Sequence, residues 1–445
     1  MGTVSKVGVA LIAGIVLLAV IVLGVRGAAD RSAQTAHATK EVLLAESTPT
    51  LGDRLVRKAQ LAITRAPEKS DGYNALCMAF MQKARETGDF SYNSRAESAL
   101  KRSFEIEADN SEAMKLQAGL LLTYHKFDEA LTVARKVQQI RPRDHTIYGM
   151  MTDALVELGQ YDEAYAAAEK MVLMRPDTTS YSRFSYVASL HGDSEAAIDS
   201  MRRAVNAASM QDPESLSWCR VHLGDELMNV GKLSEAEREY DLALRAFPDY
   251  HLALAAKARA RIAAGDPEGA VEFYKKAQER VPQPDTAIAL GNLYVKLGRE
   301  DEARNEYKLV DFIEQSGDKG ASTYSRQLAL FWANQGRNLD EALAIAERER
   351  HSRADIYTSD VLAWCLHKKG RSIEARKHIE EAMRLGTRDA QIFYHAGMIY
   401  DALGDRGKSM KFLKLALQIN PHFDLLQAGI ASQALERLQI SQAAR

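Results

Sequence analysis

The sequence predicts an all-α fold, a solenoid of about ten helix-turn-helix units preceded by one N-terminal transmembrane helix. Three observations carry this. Glycines and Glu-Ala steps recur together at intervals of mostly 33 or 34 residues, and self-similarity at such a period marks a repeat architecture. The 445 residues contain only 10 prolines and 7% aromatics against 46% hydrophobic residues, which suits Ala- and Leu-rich helices better than a β-sandwich. Near the N-terminus, Val7 to Val25 form an uncharged apolar run of nineteen residues.

Composition removes several function classes. Lys and Arg total 58 against 60 Asp and Glu, a net charge of −2. A protein coated for nucleic acid carries a clear basic excess, so no nucleic-acid partner is expected. The hydrophobic and charged fractions exclude wholesale disorder. Cys77, Cys219 and Cys365 stand far apart with no Cys-x-x-Cys pair. Neither a zinc site nor a disulfide framework follows, and the three read as small buried apolar side chains.

The chain divides in order as follows. Residues 1–6 are a short tail. Residues 7–25, helical, would span about 28 Å at 1.5 Å per residue, close to the hydrocarbon thickness of a bilayer. An uncleaved anchor and a cleaved signal are both open, because small residues at Gly27-Ala28-Ala29 and Ala36-His37-Ala38 follow the run. The anchor reading makes this a single-pass membrane protein. Lys6 precedes the span while Arg26, Arg31 and Lys40 follow it, which leans the repeats toward the cytoplasmic face. Residues 26–49 read as a polar linker, and 50–69 as a capping helix. Units then open near Ser70, Ser111, His145, Thr178, Ser217, His251, Pro284, Ser322, Ile356 and Ala390, and fill 70–423. Extra residues fall near Ser209–Pro213 and Glu314–Gly320. Residues 424–445 supply a C-terminal capping helix and tail.

Each repeated position has a physical reason. Gly159, Gly192, Gly231, Gly265, Gly298, Gly336, Gly370 and Gly404 sit where the first helix (A) ends and the chain needs a left-handed residue. Acidic residues then open the second helix (B), whose N-terminus favours negative charge. The Ala that follows (Ala130, Ala164, Ala197, Ala236, Ala270, Ala303, Ala342 and Ala375) leaves room for a methyl where the two helices cross; Ser409 is the exception. Pro142, Pro176, Pro248, Pro282 and Pro421 stop helix B.

With Leu290-Gly291 before Tyr294 and Ala396-Gly397 before Tyr400, the pattern resembles the tetratricopeptide repeat family. The resemblance implies a right-handed α-solenoid that acts by recognition rather than catalysis. Its two-carboxylate clamp for acidic tails is not expected. Asn292 stands at one matching position, but Ile288 stands where that clamp needs Lys, and the corresponding positions of unit eight are Arg326 and Leu330. Each unit of such a solenoid is expected to touch only its neighbours.

No phosphate-binding loop, dinucleotide fingerprint, zinc-protease helix or nucleophile elbow is present. An enzyme, a cofactor and a small-molecule substrate are therefore not expected. The reading is a membrane-tethered scaffold that binds other proteins on its concave face. Its alternative is a non-catalytic regulatory or targeting subunit of a membrane-bound enzyme or export complex. In the family the second, fifth, ninth and twelfth residues of each unit line the inner face. In units nine and ten this series turns large and flat, which makes Tyr357, Asp360, Trp364, His367, Tyr394 and Met398 the candidate partner-binding residues. The competing reading is that Trp364 and Met398 fill the groove between successive A helices. Trp218 in unit five is isolated from other inner-face aromatics.

Overall fold

The computed structural model describes residues 49–316 and 325–443, and the described residues form twenty-two α-helices without a strand. By compactness the chain divides between Arg54 and Leu55. In the first part, Thr50 and Asp53 cap the start of α1 (Leu51–Arg65) reciprocally, each backbone N–H donating to the other's side chain.

The second part contains ten helix pairs. Units one to three are α2 (Ser70–Thr87) with α3 (Ser91–Ile106), α4 (Ser111–Thr123) with α5 (Phe127–Ile140), and α6 (His145–Glu157) with α7 (Tyr161–Met174). Units four to six are α8 (Thr178–Leu190) with α9 (Ser194–Ala207), α10 (Pro213–Asn229) with α11 (Leu233–Ala246), and α12 (His251–Ala263) with α13 (Pro267–Arg280). Units seven and eight are α14 (Pro284–Lys296) with α15 (Glu300–Ser316), and α16 (Ser325–Gln335) with α17 (Leu339–Ser352). Units nine and ten are α18 (Ile356–Lys368) with α19 (Ser372–Ala382), and α20 (Ala390–Ala402) with α21 (Arg406–Ile419); α22 (Gln427–Ala443) follows.

Local chemistry sets these boundaries. Asn110, Asp144, Asp177, Asp212, Asp355 and Asp389 each accept a backbone N–H at the start of an A helix. The turn glycines all have positive φ, and His125 takes the same left-handed conformation in unit two. The tight Ala positions are buried at every crossing, and so is Ser409. Unit five differs from the periodic expectation: its A helix opens at Pro213, four residues before Ser217, because Asp212 caps it there and the extra residues lengthen the helix.

Two expectations are corrected. The single-pass membrane localisation is the first. Among the described residues no helix is long and apolar enough to cross a membrane. Many of these helices instead pair a buried apolar stripe with an exposed polar face. The run Val7 to Val25 lies outside the described residues.

The second correction concerns contacts. Units do not touch only their neighbours, because the loops around unit nine lie against the turns of units three and four. The Ala354 N–H donates to the Glu157 carbonyl (2.8 Å), and the Ile356 N–H donates to the Tyr161 hydroxyl (2.8 Å). Arg384 donates to the Gly159 carbonyl (3.0 Å), and the Thr387 hydroxyl to the Leu190 carbonyl. Arg353, buried, pairs with Glu157 at 3.2 Å and lies over the Phe127 ring. One hydrophobic core accordingly takes in residues of units two to four and of units seven to ten, from Met114 to Leu438. Separate cores serve units one and two, four to six, and six and seven.

Candidate functional site

The aromatic series of units nine and ten is mostly core. The Asp355 carboxylate caps α18 through the Tyr357 and Thr358 N–H groups, and also accepts from Arg326 at 3.0 Å. One helical turn then places Asp360 and Trp364 on the same face. Trp364 is 2% exposed; its Nε1 donates to Asn334 of α16 at 2.8 Å. Its ring lies nearly parallel to His395 of α20, centroids 4.2 Å apart, and His395 Nδ1 meets the Asp360 carboxylate at 2.9 Å. The Tyr394 hydroxyl donates to Gln427 of α22 at 2.7 Å.

Trp364, Tyr394 and Asp360 thus fill the grooves between successive A helices and the final helix, which removes them as contact surface. Met398 is half-buried against the same core. His367, also half-buried, bonds Ser372 and stacks on Trp364 at 5.1 Å. Burial first, then Lys368 and His395, push its imidazole down to about 4, so it is neutral at pH 7. Tyr357 is the outlier. Burial raises its phenol, as do the charge of Asp389 and the phenol of Tyr186, while Arg326 opposes them, its guanidinium 5.9 Å from the ring centroid. It is half-buried against the same core, at a position that the family's inner-face rule assigns to the space enclosed by the A helices.

That space holds a cavity of about 660 Å³ on the inner face of units three to five. Thr179, Ser182 and Tyr186, the second, fifth and ninth residues of unit four, line it. Arg183 crosses α6 where Gly149 has no side chain; a Cβ there would stand 2.9 Å from the guanidinium Nε. The bare backbone lets Arg183 donate to the Gly149 carbonyl (3.2 Å) and to both Asp153 oxygens (2.9 and 2.7 Å). Glu214, buried, accepts from the Tyr250 hydroxyl at 3.2 Å and pairs with Arg85 of unit one at 3.5 Å.

Tyr186 keeps 44% of its surface while burial raises its phenol, which describes a side chain open to water inside a protein-walled space. Trp218 and His222, one turn apart on α10, pack with centroids 3.9 Å apart. Burial lowers the His222 imidazole and raises the Glu226 carboxyl; among the described residues Glu226 accepts only from the Ser189 hydroxyl, at 3.2 Å. A second cavity of about 340 Å³ lies between the inner face of units five to seven, with Arg259 and Asn292, and the Asn420–Leu425 segment.

Sequence reasoning set Trp218 aside and missed Tyr186, His222 and Glu226. The inner-face rule applied to unit four finds Tyr186 directly. The signal that could have found His222 and Glu226 is their spacing, one and two helical turns beyond Trp218 on the same face of α10. The three cysteines are buried and unpaired, and burial raises each thiol to about 12, so they are inert packing groups as expected.

Family models described as tetratricopeptide repeat match residues 222–283, 261–318 and 390–423. The chain is 24% identical over 218 residues to DnaJ homolog subfamily C member 3 of Gallus gallus, covering 45% of this chain and 42% of that protein. It is 24% identical over 278 residues to Protein IFIT1 homolog B of Homo sapiens, covering 58% and 52% respectively. The chain spans about half the length of these curated relatives. Among solved structures it is similar to the human IFIT1 dimer with m7Gppp-AAAA, at 16% identity over 74% of this chain and 76% of that one, with a TM-score of 0.48. Together with the recurring left-handed turns and tight Ala crossings of the helix pairs, the three repeat matches identify the chain as a tetratricopeptide-repeat protein.

Proposed function

We propose that the chain is a non-catalytic scaffold that holds a segment of a partner protein against the inner face of its A helices, chiefly at units three to five. The observation that carries this reading is the water-open cavity lined by Tyr186 and Trp218. The large side chains Trp364 and Tyr394 are packed into grooves, whereas these two are walled by protein yet not covered by it. Exposed aromatic side chains in a concavity bury much area for few rotors lost, the composition of interface hot spots.

The test is affinity purification with mass spectrometry on three proteins. These are the wild type, a Tyr186→Ala/Trp218→Ala variant, and a Leu173→Ala/Ile373→Ala variant altered at exposed B-helix positions. The reading requires partners to be lost only from the first variant, at an unchanged melting temperature. Partners lost from the B-helix variant and kept by the inner-face variant would place recognition on the outside of the repeats.

A further inference from the structure

The cavity of units three to five has a charge balance that selects among partner segments. Four carboxylates line it, Asp153, Asp212, Glu214 and Glu226, against two guanidinium groups, Arg85 and Arg183. Both cations are committed, Arg183 to Asp153 at 2.7 Å and Arg85 to Glu214 at 3.5 Å. Asp212 accepts the Ser215 N–H at the start of α10, and Glu226 accepts the Ser189 hydroxyl; among the described residues neither has a cation. His222, held neutral by burial, supplies none. The wall is therefore two charges short, and one of the uncompensated carboxylates, Glu226, stands one turn beyond His222 and two beyond Trp218 on the same helix. Trp218, half-buried, and Tyr186, 44% exposed, offer ring surface to the same space.

A cation is attracted to aromatic faces and to an unpaired carboxylate alike, and both effects strengthen where protein replaces water. An acidic segment would meet only committed guanidinium groups and two like charges. The cavity volume lies within the usual range of ligand sites.

We infer that this cavity takes a Lys or Arg side chain of the partner's segment, seated against Trp218 and Tyr186 with Glu226 as its counter-charge. The inference rests on the inner-face reading above and adds the chemistry of what is bound. The Arg183–Asp153 pair closes one wall and holds Asp153 out of competition for the incoming cation.

The experiment uses the full chain and fluorescein-labelled, acetylated and amidated nonapeptides in which Gly-Ser-X is repeated three times, X being Lys, Arg, norleucine or Glu. Fluorescence anisotropy measures binding at low and physiological salt. The Lys and Arg peptides are expected to bind about tenfold tighter than the norleucine peptide, with the Glu peptide weakest. Glu226→Gln, nearly isosteric, should remove most of that preference without moving the melting temperature, and Trp218→Leu should weaken the Lys and Arg peptides alone.

Three results each overturn the inference: no binding of the Lys peptide, equal binding of Lys and norleucine peptides, or a preference that Glu226→Gln leaves intact. If the charge preference is absent while Tyr186→Ala/Trp218→Ala still loses the purified partner, the inner-face reading stands and this inference falls. If the preference is present and that variant keeps its partner, the cavity binds cations and the inner-face reading falls.

Discussion

Replacing Gly159 with Ala separates a closed arrangement of repeats from a linear one. Gly159 and Gly231 occupy the same turn, with φ of +70° and +79°. An L side chain in that conformation costs about 1–2 kcal/mol at either site. Around Gly231 nothing lies within 4 Å of an added Cβ. At Gly159 the methyl would overlap the Ala354 carbonyl oxygen and approach Arg384 Nη2 to 2.8 Å and the Ala354 carbonyl carbon to 3.0 Å. Relieving that overlap costs about 1–3 kcal/mol more, and moving the strand of chain at Ala354 loses its bond to Glu157, about 0.5–1.5 kcal/mol. Gly159→Ala should therefore cost roughly 3–6 kcal/mol and Gly231→Ala about 1–2 kcal/mol. Urea midpoints on the two variants measure the difference. Hydrogen exchange locates it: Gly159→Ala should lose protection at Ala354 and Ile356, some two hundred residues along the chain, and Gly231→Ala should not. Equal costs, with exchange changes confined to units three and four, would refute the closure.

The same contacts yield a second expectation: Arg353→Met removes the buried partner of the half-buried Glu157 carboxylate, already raised by burial, and should cost about 3 kcal/mol, largely restored by adding Glu157→Leu; urea midpoints of the single and double variants decide it. Trp364→Ala should cost about 3–5 kcal/mol and lower helicity, with any partner lost only in step with unfolding, as circular dichroism and pull-down side by side would show. His251 is 8% exposed, and burial, then Arg280, push its imidazole down from 6.5 to about 4. A depressed folded pKa contributes stability that is present above 6.5 and lost as pH falls toward 4, so about 2 kcal/mol should disappear between pH 6.5 and 5. The stability gap between wild type and His251→Phe, followed by urea unfolding across that range, should narrow accordingly; a gap that is flat with pH counts against a neutral buried imidazole.

How much of the site was legible follows from how local each signal is. Trp364 and Tyr394 are correctly read as large A-helix side chains, but spacing alone does not distinguish a side chain aimed at the enclosed space from one wedged between adjacent A helices. Burial of Trp364 follows from its bond to Asn334 and its stack on His395, partners supplied by units eight and ten. Tyr186 was within reach of the same positional rule that found Tyr357. Glu226 falls outside that rule, and is found only by stepping two helical turns along α10 from Trp218.

The sequence by itself determined the helices, their pairing and most of their boundaries, unit five's early start at Pro213 excepted, since each rests on groups a few residues apart. A left-handed glycine ends helix A, an acidic step opens helix B, a methyl fits the crossing, and Asp or Asn caps the next A helix. Helix starts at His145, Thr178, His251, Pro284, Ile356 and Ala390 fall on the residues the period marks. Only the tertiary structure decided that units three and four meet unit nine, that Gly159 and Gly192 serve as contact points while Gly231 does not, and that the inner face encloses a cavity short of cations. These depend on the small rotation between successive units, summed over six of them. A rotation of that kind leaves no mark on the residues of any single repeat.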